Sequence, residues 1–250
     1  MENGMNSLSK SQWNSFLGDI DKALDAGATP IAAFDADGTL WSCDMGEGLF
    51  KYQIKHGLLP QLPKDAWDFY AKWHHDEPLA AFLWLAQINA GVSLDVVRQW
   101  AKEAVEEMES VPLFEEVQAL LIELRKRKVK SYVVTASVKW AVEPAAGLLG
   151  FHRDEVIGIA TKVNNGLVTD EQDGPITWRE GKVDGLLRST QGKKPFFAAG
   201  NTKGDLPLLE SASHLRLVMA SAGPGHINYQ TEQEMLALAK ERGWYAHRYL

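Results

Sequence analysis

Two aspartates one residue apart follow a short apolar run in IAAFDADGTLW, residues 31–41. Side chains at positions i and i+2 of an extended chain share a side, so Asp35 and Asp37 can act together. Neighbouring carboxylates repel unless a cation or a shared proton relieves them, and their hard oxygens favour Mg²⁺. The pair predicts a divalent metal site in which one carboxylate could attack a phosphoryl group while the other handles a proton. Taken alone, the Asp-Gly pair is also typical of a simple turn.

Later segments place further polar side chains beside strands and helix starts. Thr135 and Ser137 end the apolar run YVVTAS, and Lys182 lies just ahead of a helix in REGKVDGLL. Asn201 and Asp205 follow the apolar run FFAAG. Ligands of open α/β sheets bind beyond the carboxyl ends of the strands, so we expect these groups to converge. Two carboxylates, a hydroxyl, a lysine and a second metal-binding segment suit phosphoryl transfer.

The order of the predicted elements indicates how these residues are positioned. Strands alternate with helices, which predicts an α/β fold with a Rossmann-like, three-layer core and a mostly parallel sheet. Residues 41–112 interrupt the alternation with an irregular helical pattern rich in aromatics. We interpret them as an inserted α-helical cap domain, with residues 1–40 and 113–250 forming the core domain.

Three finer features follow from local patterns. Apolar spacing predicts a helix over residues 9–26, capped by Ser9 or Ser11. The segment DEVIGIATKVNNGLVTD, residues 154–170, predicts two strands of a hairpin joined by an Asn-Gly turn. The tail is predicted to be helical to the C-terminus.

Taken together, DADGTL, VVTAS, Lys182 and GNTKGDLPLL resemble the four motifs of the haloacid dehalogenase superfamily, whose members are mostly phosphatases. The motifs occur in the expected order over residues 31–210. The set is specific, although no single motif is. The helical insertion after the first motif is similar to that of the phosphoserine phosphatase and phosphorylcholine phosphatase branches. The resemblance implies a Mg²⁺-dependent phosphomonoester hydrolase.

The resemblance also implies a role for each matched residue. Asp35 would be the nucleophile that becomes an aspartyl-phosphate, and its carboxylate would bind Mg²⁺. Asp37 would be the general acid and base, with its main-chain carbonyl on the metal. Lys182 would neutralise the charge on the nucleophile and the phosphate. Thr135 would hydrogen-bond the phosphoryl oxygens, and the adjacent Ala136 and Ser137 would bind substrate.

The fourth motif would complete the metal site through Asn201 and Asp205, and it departs from the family pattern. The family usually has aspartate where this chain has Asn201, an amide ligand without charge. We expect a lower metal affinity or a larger share for Asp205. Two alternatives stay open: a non-catalytic or weakly active phospho-ligand-binding protein of the same fold, and a haloacid-type dehalogenase. Asp37, expected of phosphatases, argues against the dehalogenase.

The start of the insertion suggests which phosphate ester is bound. In the phosphoserine phosphatase branch an acidic residue shortly after the first motif holds the substrate's ammonium. Asp44 has the equivalent offset, with Glu47 beyond it, although both are also typical of a solvated helix start. The aromatics Trp41, Trp67, Tyr70, Trp73 and Trp84 are typical of a core but would also suit a quaternary ammonium. This hypothesis leans slightly towards a choline-type substrate over phosphoserine.

Composition limits the classes of partner. The 250 residues carry 26 Lys plus Arg against 33 Asp plus Glu, a formal charge of −7, which argues against nucleic acid as main partner. A single cysteine, Cys43, excludes an internal disulfide. The start lacks a signal-peptide core and no run is long enough to span a membrane. We expect a cytoplasmic monomer or small homo-oligomer that acts on a small-molecule phosphate ester, without nucleic-acid or membrane partners.

Overall fold

A parallel sheet with the strand order β3-β2-β1-β6-β7-β8 is the centre of the computed structural model, which describes residues 8–249. The strands are β1 (Ile31–Phe34), β2 (Lys130–Val138), β3 (Val156–Ile159), β4 (Thr161–Asn164), β5 (Leu167–Gln172), β6 (Phe197–Gly200), β7 (Leu215–Ala220) and β8 (Tyr245–Arg248). The helices are α1 (Lys10–Asp25), α2 (Met45–Lys55), α3 (Ala66–Asp76), α4 (Pro78–Gln87), α5 (Leu94–Glu106), α6 (Glu115–Lys126), α7 (Lys139–Leu148), α8 (Glu180–Ser189), α9 (Leu206–Ser211) and α10 (Tyr229–Arg242). No helix within residues 8–249 is long and apolar enough to cross a membrane.

The apolar strands divide their side chains between two faces. Ala32 and Phe34 of β1 pack in one apolar cluster with α1, α6 and α7. Ile31 and Ala33 pack in another with α8, α9 and α10. Because both faces are covered, β1 is apolar at every position and buried throughout. The predicted α/β class with its three-layer, mostly parallel core is confirmed.

The helices α2 to α5 lie between β1 and α6 and form their own apolar cluster with residues of α7. The hairpin of β4 and β5 is fastened to them, since Gly91 N donates to Val168 O at 2.8 Å and Val168 N donates to Val92 O at 2.9 Å. The sequence predicted the helices of this insertion and a hairpin, but not that the hairpin, residues 161–172, packs against these helices.

The predicted hairpin and the predicted tail both need correction. Residues 156–164 form two strands rather than one: β3 joins the main sheet beside β2, and only β4 pairs with β5. The Asn-Gly turn is present, with positive φ at Asn165 (51°) and Gly166 (81°), as a tight hairpin turn requires. The tail is not helical to its end. Gly243 ends α10 in a left-handed conformation, and β8 then pairs with the exposed edge of β7.

Candidate active site

The predicted motif residues meet at the carboxyl edge of β1, β2 and β6. The central strand β1 has β2 on one side and β6 on the other, so the strand order reverses here, as it does where open α/β sheets bind ligands. Asp35 directly follows β1, and its N–H donates to Ala199 O of β6 at 2.9 Å. Asn201 follows β6, and Thr135 lies near the end of β2. The fold thus brings together residues up to 170 positions apart, from Asp35 to Asp205.

A buried lysine bridges two aspartates of the site. Lys182 Nζ donates to Asp35 Oδ1 at 2.5 Å and also to Asp205 Oδ1. Burial raises the pKa of Asp35 to about 7, with repulsion from Asp205 adding to the rise and Lys182 opposing it. Burial disfavours the charged form of Lys182, but Asp205 and Asp35 outweigh burial and raise its pKa. Lys182 therefore stays cationic beside the expected nucleophile.

The segment that carries Lys182 is held closely against β2. Thr177 Oγ1 donates to the main-chain carbonyl of Thr135, which fastens the approach to α8 on the strand. A Cβ at Gly181 would lie 1.9 Å from Ile176 O, so only glycine lets the first turn of α8 pack this closely. This packing brings Lys182, the residue after Gly181, to Asp35 at the end of β1.

Asp37 has a different hydrogen-bonding environment. Its Oδ1 accepts from Trp41 Nε1 at 2.7 Å and from Met45 N at 3.1 Å, while its Oδ2 accepts from Ser137 Oγ at 2.6 Å. Burial raises the pKa of Asp37, and the hydrogen bonds from Ser137, Trp41 and Met45 oppose that rise. A carboxyl group whose pKa is raised can hold a proton for transfer.

The hydroxyl segment at the end of β2 contacts Asp37 through Ser137. Thr135 is buried, and its Oγ1 accepts from Ser137 N at 3.0 Å. The adjacent Ala136 and Ser137 are only half-buried, so this segment borders accessible space. The predicted phosphate-binding segment thus lies beside Asp37, through the contact with Ser137.

The fourth motif has two functions in this arrangement. Asp205 Oδ2 accepts from Asn201 N at 3.1 Å and from Thr202 N at 2.9 Å, while its Oδ1 accepts from Lys182. Asp205 therefore holds both the loop after β6 and the lysine. Asn201 Oδ1 lies 3.5 Å from Thr39 Oγ1, which donates to Asp35 Oδ2 at 3.1 Å. The oxygen of Asn201 thus shares a small polar space with Asp35.

Sequence reasoning missed one buried acid of the site, Glu232 in the first turn of α10. Its Oε1 accepts from Asn201 Nδ2 at 3.0 Å, and its Oε2 accepts from Ser221 N and Ala222 N at 2.9 and 2.8 Å. No local motif marks this residue. The departure at Asn201 was the signal that a carboxylate should be sought elsewhere.

The donor set of this edge suits a small, hard cation. The resemblance implies one carboxylate from Asp35, a main-chain carbonyl from Asp37 and an amide oxygen from Asn201. Mg²⁺ is bound through one or two carboxylates and keeps several waters, so these residues fit it. Both oxygens of Asp205 already accept protein donors, which suits an indirect role. Within the described residues no group of three or more Asp, Glu, His or Cys is arranged to hold a metal ion.

A cavity of about 360 Å³ opens beside Asp37 between the start of α2 and the loop from Ser221 to Asn228. Its lining includes the acids Asp37, Asp44, Glu47 and Glu232, together with Cys43. Asp44 caps α2, since its Oδ1 accepts from Glu47 N at 2.8 Å. Burial, with Asp37 and Asp44 nearby, raises the pKa of Cys43 to about 12, so its thiol is a poor nucleophile.

The aromatic residues pack chiefly against one another. Phe50 contacts Trp67, Tyr70 and Trp84, and Trp73 contacts Trp84, all within the helical insertion. Trp41 is fully buried; its indole N–H donates to Asp37 and its main-chain carbonyl accepts from Gly38 N. None of these aromatics is among the described residues that line the cavity beside Asp37. The interpretation of them as apolar core is therefore the better one.

Comparison with known proteins decides the family. The family model described as haloacid dehalogenase-like hydrolase matches residues 32–210. The chain belongs to this family. Its four motif segments are those whose side chains converge on the sheet edge, and the family membership expected from them is confirmed. A search of curated proteins found no significant match.

Solved structures show the same fold at low sequence identity. A protein of unknown function from Bordetella pertussis Tohama I has a TM-score of 0.70 at 18% identity, with 86% of this chain and 96% of that chain covered. A functionally unknown protein from Anaerococcus prevotii DSM 20548 has a TM-score of 0.70 at 15% identity, with 98% of this chain and 93% of that chain covered. A phosphoserine phosphohydrolase-like protein from Francisella tularensis subsp. tularensis SCHU S4 has a TM-score of 0.52 at 15% identity, with 82% of this chain and 91% of that chain covered.

Proposed function

We propose that this protein is a Mg²⁺-dependent phosphomonoester hydrolase that acts through an aspartyl-phosphate on Asp35. The observation that carries the proposal is the pairing of Asp35 with the buried Lys182 at 2.5 Å, next to a second, separately hydrogen-bonded carboxyl group, Asp37. Lysine beside the nucleophile favours the ionised carboxylate and offsets the charge of an incoming phosphate.

The two aspartates divide the chemistry. Asp35 attacks phosphorus, the bond from phosphorus to the ester oxygen breaks, and Asp37 gives its proton to the departing alkoxide. Asp37 then takes a proton from water, which attacks the aspartyl-phosphate and releases inorganic phosphate and free Asp35. Thr135 and the segment Ala136–Ser137 hold the phosphoryl oxygens, and Lys182 balances their charge.

Mg²⁺ would be held by Asp35, the Asp37 carbonyl and Asn201, and it supplies charge neutralisation on the phosphoryl group. Asp205 contributes indirectly, because it positions Lys182 and the loop that carries Asn201. The helical insertion, residues 41–112, together with the hairpin of β4 and β5, forms a cap over the carboxyl edge of the core. The cytoplasmic location and the monomeric or small-oligomeric state expected from the sequence stay predictions.

The acidic lining of the cavity supports a substrate with a cation beside its phosphate. Asp44 and Glu47 line the cavity, and an isolated carboxylate there would repel a phosphate ester that carries no compensating cation. Glu47 is already paired with Lys51 at 3.2 Å, which leaves Asp44 as the acid for the substrate. Because no Trp, Tyr or Phe is among the residues that line the cavity, a primary ammonium suits it better than a trimethylammonium. The proposed substrate thus differs from the choline-type ester that the sequence alone slightly favours.

Phosphate release from an aryl phosphate tests the proposed reaction. We expect turnover that requires Mg²⁺, stops with chelator, and falls at least about a thousandfold in Asp35→Asn because an amide is a poor nucleophile. Asp184→Asn, the same change at an exposed position of α8, is the matched control and should keep wild-type activity. Phosphate binding without turnover in wild type would favour the non-catalytic alternative, and full activity in Asp35→Asn would exclude Asp35 as nucleophile.

A further inference from the structure

Glu232 lies behind the fourth motif, where its side chain is 1% exposed. Its carboxylate accepts three hydrogen bonds from the described residues: from Asn201 Nδ2 at 3.0 Å, Ser221 N at 2.9 Å and Ala222 N at 2.8 Å. It therefore connects the loop after β7 to the residue that departs from the family pattern. The proposed reaction gives Glu232 no direct part, which leaves its burial and its three hydrogen bonds to be explained.

The contact with Glu232 fixes which way the Asn201 amide points. A carboxylate accepts hydrogen bonds but donates none, so the NH₂ group of Asn201 must face it. The amide oxygen is then directed to the other side, 3.5 Å from Thr39 Oγ1 and towards Asp35. Gly38 makes room for this orientation, since a Cβ there would lie 2.0 Å from Asn201 Nδ2.

We propose that Glu232 is a positioning residue that orients the Asn201 oxygen as a Mg²⁺ ligand and supplies the negative charge that the family usually places at position 201. The inference rests on the metal site of the proposed function. Asparagine alone presents either its oxygen or its NH₂ group, and only the oxygen can ligate a cation. Glu232 excludes the orientation in which the Asn201 NH₂ group would face the cation. Its negative charge then lies one hydrogen bond away from Asn201.

The inference adds to Asn201→Asp a loss of stability that the sequence alone does not indicate. Sequence reasoning alone suggests that the added charge would preserve or strengthen the metal site. In the structure, the new carboxylate would replace the NH₂ group 3.0 Å from Glu232, in a buried position where two carboxylates repel strongly. The substitution should therefore destabilise the metal-free protein, unless position 232 is changed as well.

A cycle of four proteins tests this coupling: wild type, Glu232→Gln, Asn201→Asp and the double variant. The Mg²⁺ dissociation constant is measured by calorimetry on metal-free protein without substrate, and the Tm is measured in chelator. In Glu232→Gln, the new side-chain NH₂ donates to the Asn201 oxygen and turns that oxygen away from Asp35. We expect Mg²⁺ affinity to fall about 10- to 100-fold, as for other residues that orient metal ligands, while the fold is kept.

In the double variant, the glutamine NH₂ at position 232 donates to the carboxylate introduced at position 201. We expect a Tm above that of Asn201→Asp and Mg²⁺ affinity at least equal to wild type. Glu241→Gln removes the same charge from an exposed position of the same helix and should leave both quantities unchanged. Wild-type Mg²⁺ affinity in Glu232→Gln, or no recovery of affinity in the double variant, would overturn the inference.

Two results separate this inference from the proposed function. If the protein is a Mg²⁺-dependent phosphatase but Glu232→Gln leaves its Mg²⁺ affinity unchanged, only the positioning role is overturned. Mg²⁺ binding that follows the four-protein cycle in a protein without phosphatase activity would support the positioning role and overturn the proposed function.

Discussion

At the scale of single residues, the two oxygens of Asp37 differ in what they can do. Oδ1 faces only N–H donors, from Trp41 and Met45, whereas Oδ2 faces the Ser137 hydroxyl. A hydroxyl can donate to a carboxylate or accept from a carboxylic acid, so Oδ2 is the oxygen that can carry the transferred proton. Ser137 can thus hydrogen-bond both protonation states of Asp37, and it favours the ionised state.

Ser137→Ala should therefore change the pH profile as well as the rate. The Ser137 hydrogen bond lowers the pKa of Asp37, so its loss should raise that pKa and move the alkaline limb of the kcat profile to higher pH. We expect kcat to fall about tenfold or more, within the range for impaired proton transfer. Ser189→Ala on the exposed end of α8 is the control. A lower kcat with an unmoved alkaline limb would mean that Ser137 serves only the local structure.

Motif residues were predictable at this scale because they occupy ends of strands and starts of helices. That is why Asp35, Lys182 and Asn201 could be grouped from sequence although they are far apart in the chain. The partner of each oxygen was not predictable, since it depends on how loops pack. Glu232 reaches Asn201 from α10, and nothing local to either residue indicates the contact.

At the scale of elements, the helix α2 gives Asp44 two roles that can be separated. Its carboxylate caps the helix through Glu47 N and also lines the cavity. Asparagine caps helices about as well as aspartate but has no charge. We expect Asp44→Asn to keep the stability of wild type and to lose about two- to fivefold of the preference for a cationic ester, as for an exposed charge pair. Asp44→Ala should show the same loss and cost about 1 kcal/mol of stability as well.

The comparison uses kcat/KM for phosphoserine, phosphocholine and a neutral alkyl phosphate, with thermal unfolding in parallel. Wild type should prefer phosphoserine, because the residues that line the cavity include carboxylates but no Trp, Tyr or Phe. If Asp44→Asn changes all three substrates alike, Asp44 acts only as a helix cap and the cation pocket is excluded.

Element types were predictable where the pattern was long or strongly marked. The apolar, fully buried β1 and the Asn-Gly hairpin turn are examples. Strands were missed where a neighbouring strand, rather than the local sequence, decides whether the segment joins the sheet. Residues Tyr245–Arg248 form a strand because the edge of β7 is available, and β3 separates from β4 because β2 offers a second edge.

At the scale of the whole molecule, the site couples protons, metal and stability. Burial raises the pKa of Asp35 to about 7 in the metal-free protein, well above its ordinary 3.8. Between these two values the folded protein binds a proton at Asp35 that the unfolded chain does not, so the contribution of Asp35 to stability decreases as pH rises towards 7. A cation at the same carboxylate must displace that proton, and its binding therefore strengthens as pH rises.

The stabilisation by Mg²⁺ should accordingly depend on pH. We expect the rise in Tm on adding Mg²⁺ to be small at pH 5.5 and to grow through pH 7 to a plateau near pH 8, because the proton competes at Asp35 below its pKa of about 7. In Asp35→Asn the carboxylate is gone, so the Mg²⁺-induced shift should be small at every pH. The scan is run with a matched concentration of NaCl to remove the effect of ionic strength. An equal Mg²⁺-induced shift at pH 5.5 and pH 8 in wild type would show that the cation does not compete with a proton on Asp35, and Asp35 would lose its place as a metal ligand.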